Sequence, residues 1–149
     1  MMIKRALFLC TGNSARSIMA EAYFRHASKG QWEAYSAGSS PTGVPNPYAI
    51  KTLEAKGIDP GAPRSKSWDE FAVEGAPVMD LVVTVCDNAA NEVCPVWTTT
   101  PGHAAPEKLH WSFPDPAAVQ GDADEKSAAF QEIFHSIRTK IDDYLGLPA

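Results

Sequence analysis

The chain has 149 residues, of which 44% are hydrophobic and 21% are charged, and its formal net charge is −5. A chain of this size and composition can bury the core of one globular domain, so we predict a single domain over residues 1–149. The negative charge argues against a nucleic-acid partner, and no apolar run approaches the ~18 residues of a membrane span.

The N-terminal segment Met1–Arg5 lacks the apolar stretch of a signal peptide and leads into Ala6–Leu9, which has the bulk of a buried strand. We therefore expect a cytoplasmic protein, in which cysteines are more often catalytic or redox-active than structural. Cys10 follows the strand, and Ile18–Phe24 is an amphipathic segment of strong helix formers. Residues 11–17 therefore form a loop that joins the end of a strand to the start of a helix.

Such a loop can bind an anion, because its backbone N–H groups converge beside the positive end of the helix dipole. Arg16 adds a planar guanidinium that can hold an oxyanion through two hydrogen bonds. The same surroundings favour the Cys10 thiolate and lower its pKa below the free value of about 8.5, and the Ser17 hydroxyl is placed to donate a hydrogen bond to the sulfur. We predict that Cys10 is a nucleophile at the floor of an oxyanion site, with an inert, buried cysteine as the alternative. The predicted oxyanion-binding residues are Thr11, Gly12, Asn13, Ser14, Ala15 and Arg16.

The rest of the chain alternates predicted strands with predicted helices. The strands are Gln31–Ser36, Leu81–Val85 and Leu109–Phe113, and the helices run from Pro47 to Lys56 and from Asp122 to Leu145. This alternation indicates an α/β fold, a flavodoxin-like three-layer sandwich whose four parallel strands have the order 2-1-3-4 and carry helices on both faces. Ligands bind at the carboxyl ends of the strands in such folds, and Cys10 and Cys86 both follow predicted strand ends. We expect the loop 37–47 to lie near the mouth of the first loop, and Ser67–Phe71 to form a short capped turn.

Leu9–Ser17, with the sequence LCTGNSARS, resembles the phosphate-binding loop of the low-molecular-weight protein tyrosine phosphatases. It resembles still more closely the loop of the arsenate reductases built on the same fold. The phosphatases commonly have a second cysteine where this chain has Ala15, and a proline where it has Ile18. Their acidic motif, Asp-Pro followed by an aromatic residue, is similar to residues 115–116, which an alanine follows here.

Cys86 and Cys94 favour the reductase branch, because Val85-Cys86 and Cys94-Pro95 are similar to the redox segment of thioredoxin-coupled arsenate reductases. The resemblance implies that the Cys10 thiolate attacks arsenic while Asp115 protonates the departing oxygen. It further implies that Cys86 attacks Cys10 to release arsenite, that Cys94 attacks Cys86, and that thioredoxin reduces the resulting disulfide. The catalytic residues implied in this way are Cys10, Arg16, Ser17, Cys86, Cys94 and Asp115.

Several alternatives stay open at this point. Glutathione with glutaredoxin, or mycothiol, can replace thioredoxin as the reductant, and Cys86 can be a buried core thiol. A phosphatase acting on phosphotyrosine or a small phosphate ester would use the same loop, and weak phosphatase activity can accompany the reductase. A non-enzymatic oxyanion sensor would need neither Asp115 nor the cysteine pair Cys86 and Cys94. We expect phosphate and sulfate to compete with arsenate, and we expect no bound cofactor or metal, since the four histidines and three cysteines show no close ligand spacing.

In some reductases of this family, the positions that match Asn13, Glu21 and Ser36 help to hold a potassium ion beside the loop. Those enzymes have an acidic residue where this chain has Lys66, so the resemblance implies that the lysine ammonium replaces the ion. A solvated linker lysine is the alternative. We also expect Asn13 to hold the loop in a left-handed turn, and His110 to be a hydrogen-bonded strand residue rather than a site residue.

Overall fold

The sheet of this protein has the predicted topology. The structure is a computed structural model, and it describes residues 3–61, 63–72, 76–85 and 106–147. Four strands form one parallel sheet in the order β2-β1-β3-β4: β1 Lys4–Leu9, β2 Trp32–Ala37, β3 Leu81–Thr84 and β4 Glu107–His110. The α/β class and the strand order expected from the sequence are confirmed.

Both faces of the sheet are covered. In the described part of the chain, one face packs against the helices α1 Arg16–Ala27, α2 Pro47–Ala55 and α3 Ala123–Leu145. Ala6 and Phe8 of β1 point into the core on that side, whereas Leu7 and Leu9 point to the other face, where the 3₁₀ helix Trp68–Phe71 covers them. All four side chains are fully buried, as a strand with two covered faces requires. The carboxyl end of β1 is thereby fixed from both sides.

The last strand lies earlier than the sequence predicts. The predicted boundaries are Leu109–Phe113, but β4 is Glu107–His110 and pairs along its whole length with β3. The ladder ends when the Trp111 N–H donates to the Thr84 carbonyl at 2.8 Å. Trp111 and Phe113 are nevertheless buried, because their rings join the core beyond the end of the strand. These residues are apolar because they pack in the core and not because they pair in the sheet. For this reason the predicted strand is placed too late in the chain.

The helix ends follow the capping residues that the sequence supplies. The Asn46 side chain accepts a hydrogen bond from the Tyr48 N–H at 2.9 Å and begins α2. The Asp122 side chain accepts one from the Glu125 N–H at 2.9 Å and begins α3, which ends at the left-handed Gly146. Within the described ranges, none of the helices combines the length and the apolar character needed to traverse a bilayer.

Tyr23 joins α1 to α3. Its hydroxyl donates to Asp142 Oδ1 at 2.5 Å, and its ring packs edge-on against Phe134. Burial, and then the hydrogen bond to Asp142, raise the pKa of Tyr23 to about 12. The folded protein therefore holds the Tyr23 proton more tightly than the unfolded chain, in which a tyrosine has a pKa of about 10.

We expect this contribution to stability to be complete below about pH 10 and to be lost as the pH rises toward 12. Tyr23→Phe should flatten the alkaline limb of a plot of unfolding free energy against pH, measured by urea denaturation. Some slope should remain, because burial also raises the pKa of Tyr144 to about 12. An alkaline slope that Tyr23→Phe leaves unchanged would contradict the assignment.

Candidate active site

The predicted nucleophile lies at the junction of a strand and a helix. Cys10 is the first residue after β1 and is 5% exposed, and its N–H donates to the Ala37 carbonyl at 3.2 Å. Arg16 is the first residue of α1. The loop between them therefore has the location that the sequence predicts.

Segment 38–46, which follows β2, binds the outside of this loop. Three of its backbone N–H groups donate to loop carbonyls: Ser40 to Thr11 at 3.0 Å, Thr42 to Gly12 at 3.0 Å and Asn46 to Ser14 at 2.7 Å. In a trans peptide the C=O and N–H groups point in opposite directions. The N–H groups that follow these carbonyls, those of Gly12, Asn13 and Ala15, therefore point away from the segment and into the loop. This is the arrangement that an anion cradle needs, and it confirms that the loop 37–47 lies at the first loop.

Gly38 allows this close approach. A Cβ atom at this position would lie 2.3 Å from the Thr11 carbonyl oxygen and 2.4 Å from that of Cys10. These are backbone atoms that cannot move aside without distorting the loop. Gly38 is also hydrogen-bonded to the segment around Ser67, through its N–H to the Lys66 carbonyl and its carbonyl to the Trp68 N–H, both at 2.9 Å.

Asn13 fixes the centre of the loop. It has the predicted left-handed conformation, with φ of 45°, and it is fully buried. Its Nδ2 donates to Ser17 Oγ at 2.9 Å, and its Oδ1 accepts from the Lys66 N–H at 2.8 Å. Because Ser17 Oγ accepts in this bond, its own proton can be donated elsewhere, as the predicted bond to the Cys10 sulfur requires.

Arg16 and Asp115 lie beside each other. Arg16 Nη1 donates to the Phe113 carbonyl at 2.9 Å, and Arg16 Nη2 lies 3.8 Å from Asp115 Oδ2. The Arg16 side chain is 15% exposed, whereas that of Asp115 is 45% exposed. The segment after β4 thus brings a solvent-accessible carboxyl group to the Arg16 guanidinium, which it also anchors through the Phe113 carbonyl.

Lys66 is buried next to Glu21. Its side chain is 9% exposed, its ammonium donates to the Arg64 carbonyl at 2.9 Å, and it lies 4.0 Å from Glu21 Oε1. The same carboxylate accepts from Ser36 Oγ at 2.8 Å and pairs with Arg25 at 3.3 Å. The alternative of a solvated linker lysine is therefore wrong. Burial lowers the pKa of Lys66 more than the attraction of Glu21 raises it.

Two features of the site were absent from the sequence-based prediction. Ser65 donates from Oγ to the Gly12 carbonyl at 3.0 Å, and Gly38 lies against the loop backbone as described. His110 Nδ1 lies 2.7 Å from Thr84 Oγ1, which agrees with a hydrogen-bonded strand residue. Among the described residues, no group of three or more histidine, cysteine or acidic side chains has the geometry of a metal site. Cys86 and Cys94 lie outside the described residues.

The sequence profile of the low molecular weight phosphotyrosine protein phosphatase family matches residues 5–146. The chain belongs to this family. Its relatives in the family include the arsenate reductase of Halalkalibacterium halodurans, which is 42% identical over 134 residues that make up 90% of this chain and 89% of that protein. The arsenate reductase of Bacillus subtilis is 41% identical over 137 residues, which are 92% and 91% of the two chains.

Solved structures from both branches of the family share the fold. The arsenate reductase from Archaeoglobus fulgidus superposes with a TM-score of 0.70 at 26% identity, over 95% of this chain and 98% of that one. The low molecular weight protein tyrosine phosphatase from T. tengcongensis superposes with a TM-score of 0.72 at 25% identity, over 96% and 98%. The family fold alone therefore does not separate reductase from phosphatase.

Substitution of Gly38 should damage the anion site. In Gly38→Ala the new methyl group must push the carbonyls of Cys10 and Thr11 away, so we expect phosphate to bind at least tenfold more weakly, which is about 1.4 kcal/mol. Isothermal titration calorimetry with inorganic phosphate measures this loss. Gly30→Ala is the control, because no atom lies within 4 Å of its added Cβ, so any effect of that variant comes from its positive φ of 85° and not from a clash. If both variants bind phosphate as the parent protein does, the close approach of Gly38 is not needed for the cradle.

Proposed function

We propose that this protein reduces arsenate to arsenite, with Cys10 as the nucleophile. The observation that carries the proposal is the loop itself: Cys10 begins a cradle of inward-directed N–H groups, and Arg16 stands beside it next to Asp115. The relatives at 40–42% identity that are named arsenate reductases support a reductase over a phosphatase.

The first step uses only described residues. The Cys10 thiolate attacks arsenic, and one arsenate oxygen leaves as water after it takes a proton from Asp115. Arg16 and the N–H groups of Gly12, Asn13 and Ala15 bind the remaining oxygens. These donors are fixed before the substrate arrives, so they stabilise the charge that develops without reorganisation. The chain as a whole is acidic, so the negative charge of the substrate has to be stabilised by these nearby donors and not by the net charge of the protein.

The later steps rest on the resemblance of the cysteine pair to that of thioredoxin-coupled reductases. The Cys86 thiolate attacks the Cys10 sulfur, the electron pair of the S–As bond stays on arsenic, and arsenite leaves with two more electrons than arsenate. A Cys10–Cys86 disulfide forms. The Cys94 thiolate then attacks Cys86, which frees Cys10, and a dithiol such as that of thioredoxin reduces the Cys86–Cys94 disulfide by exchange.

A phosphatase is the second candidate, because the family profile and the T. tengcongensis phosphatase match the same loop and fold. Cys10, Arg16 and Asp115 have the chemistry for a phosphocysteine intermediate. Water would then attack that intermediate, and no reductant would be consumed. The two functions therefore differ in whether a reductant is consumed, and an assay can measure this directly.

The central test is arsenate-dependent oxidation of NADPH. The protein should turn over with thioredoxin and thioredoxin reductase, and should not do so with glutathione, glutaredoxin and glutathione reductase. Cys10→Ser should abolish the activity, whereas Cys94→Ser should release a stoichiometric amount of arsenite and then stop, because the Cys10–Cys86 disulfide is not passed on.

Each contrary result rejects a different part of the proposal. Hydrolysis of p-nitrophenyl phosphate without any reductant, together with no arsenate turnover, would assign the protein to the phosphatases. Turnover with glutaredoxin but not with thioredoxin would reject only the proposed partner. Multiple turnover by Cys94→Ser would reject Cys94 as the resolving cysteine.

Lys66 is proposed to serve as an internal cation for the loop. The Lys66 ammonium lies 4.0 Å from the Glu21 carboxylate, which also accepts a hydrogen bond from Ser36. The Lys66 backbone N–H donates to the side chain of Asn13. At about 4 Å, and with an effective dielectric constant of about 20, the attraction of two unit charges is about 4 kcal/mol. An attraction of this size offsets much of the cost of burying an ammonium group, which is several kcal/mol.

If Lys66 fills the role of a bound potassium ion, kcat/KM for arsenate should be equal in potassium chloride and sodium chloride at the same ionic strength. Lys66→Asp should create a dependence on potassium, because the new carboxylate joins Asn13, Glu21 and Ser36 as oxygen ligands. Lys56→Asp, a change of an exposed lysine beyond α2, is the control for the change of charge. Activation of the unmodified protein by potassium would contradict the proposal.

A further inference from the structure

Ser65 lies where three segments of the chain meet. Its segment, residues 63–68, crosses the outside of the loop and also contacts segment 38–46. We propose that Ser65 is a positioning residue for the oxyanion site, whose hydroxyl holds the Gly12–Asn13 peptide with its N–H directed into the loop. The inference deepens the proposed function, because it concerns the same oxyanion site.

The hydrogen bonds of Ser65 define the direction of its proton. Ser65 Oγ accepts the Gly43 N–H at 3.1 Å, and the Gly12 carbonyl oxygen lies 3.0 Å away. A carbonyl oxygen can only accept, so the hydroxyl proton points to Gly12. Thr42 Oγ1, at 3.4 Å, is farther away and donates its own proton to the Val44 carbonyl at 2.9 Å.

The Gly12 carbonyl therefore receives two donors, Ser65 Oγ at 3.0 Å and the Thr42 N–H at 3.0 Å. Both of its lone pairs are used on the outer side of the loop. Because the peptide is planar and trans, this fixes the Asn13 N–H on the inner side. Without such a restraint the peptide is free to turn, since Gly12 has no Cβ to limit its ψ angle.

The conformation of Asn13 favours rotation of the Gly12–Asn13 peptide. Its φ of 45° is left-handed, which costs free energy for a residue other than glycine. Rotation of the Gly12–Asn13 peptide would bring φ back to a negative value and would also direct the N–H out of the cradle. The inward orientation of this donor therefore has to be held from outside the loop, and Ser65 supplies the side-chain half of the two hydrogen bonds that hold it.

The segment that carries Ser65 is itself well fixed. The Lys66 N–H donates to Asn13 Oδ1 at 2.8 Å, and Ser67 pairs with Gly38 as a parallel bridge. Arg64 binds both carboxylate oxygens of Glu70, at 2.8 and 3.2 Å. Removal of the Ser65 hydroxyl is therefore not compensated by a shift of its backbone.

The test compares Ser65→Ala with Ser65→Thr and with a matched control. Ser65→Ala should weaken phosphate binding by roughly five- to tenfold, up to about 1.4 kcal/mol at tenfold. It should also raise the pKa of the Cys10 thiol, because one donor near the anion is lost; the absorbance of the thiolate at 240 nm measures this pKa when Cys86 and Cys94 are both replaced by serine. Ser65→Thr keeps the hydroxyl and should restore both values.

Ser67→Ala is the control. The Ser67 hydroxyl lies on the same segment but caps the 3₁₀ helix by accepting from the Asp69 N–H at 3.1 Å. This variant should lower the melting temperature and leave phosphate affinity and the Cys10 pKa unchanged. Ser65→Val, which has the bulk of the threonine variant but no hydrogen-bond donor, replaces Ser65→Ala if the alanine variant does not fold.

A Ser65→Ala protein with a lower melting temperature but wild-type phosphate affinity and Cys10 pKa would overturn the proposal, since Ser65 would then only stabilise the fold. Loss of both properties in Ser67→Ala as well would overturn it too. Both measurements are made without arsenate turnover. A protein that fails to reduce arsenate while Ser65→Ala still weakens phosphate binding would therefore reject the proposed function and support the role of Ser65.

Discussion

The site depends on hydrogen bonds that hold three carbonyl groups on the outer side of the loop after β1. A short loop has no side-chain core of its own, and its N–H groups repel one another electrostatically when they converge. N–H donors from segment 38–46 hold the carbonyl oxygens of these peptides on the outside. Because each peptide is planar and trans, its own N–H group is then held on the inside. Gly38 packs directly against the loop backbone, which leaves no room for a side chain.

The charges around the loop are arranged in two layers. Arg16 lies at the loop itself, where its guanidinium is next to Asp115. Behind the loop, Lys66 and Glu21 have largely buried side chains, and the partly exposed Arg25 pairs with the same carboxylate, so the formal charges of the three sum to +1. An acidic protein can therefore present a locally positive site, because the field at short range is set by the nearest groups and not by the total charge.

The sequence predicts the parts of this protein whose signal is local. The strand before Cys10, the Asn46 cap and the left-handed Asn13 all follow from neighbouring residues, and the structure agrees with them. The last strand is misplaced because Trp111 and Phe113 are apolar for reasons of core packing.

Gly38 and Ser65 could not be identified from the sequence for a different reason. Ser65 contacts a residue that is 53 positions away, and Gly38 contacts the loop only because β1 and β2 are neighbours in the sheet. The residues next to Gly38 and Ser65 in the sequence do not indicate that either one contacts the loop after β1. A glycine before a Ser-Ser-Pro sequence, and a serine between two basic residues, look like ordinary surface connections.

The same long-range contacts have a consequence for folding kinetics. The loop is continuous in sequence, but it is held by residues that are about 30 and 50 positions farther along the chain, and such distant contacts form late because closing long segments costs entropy. Local contacts can build β1 and α1 early, yet the cradle exists only after β2 has paired and segment 63–68 has docked. The ability to bind an oxyanion therefore requires the pairing of distant parts of the chain and not the loop alone. An anion that binds only the folded protein stabilises it, and because its binding needs contacts between distant parts of the chain, we expect its effect to be slower unfolding and not faster folding.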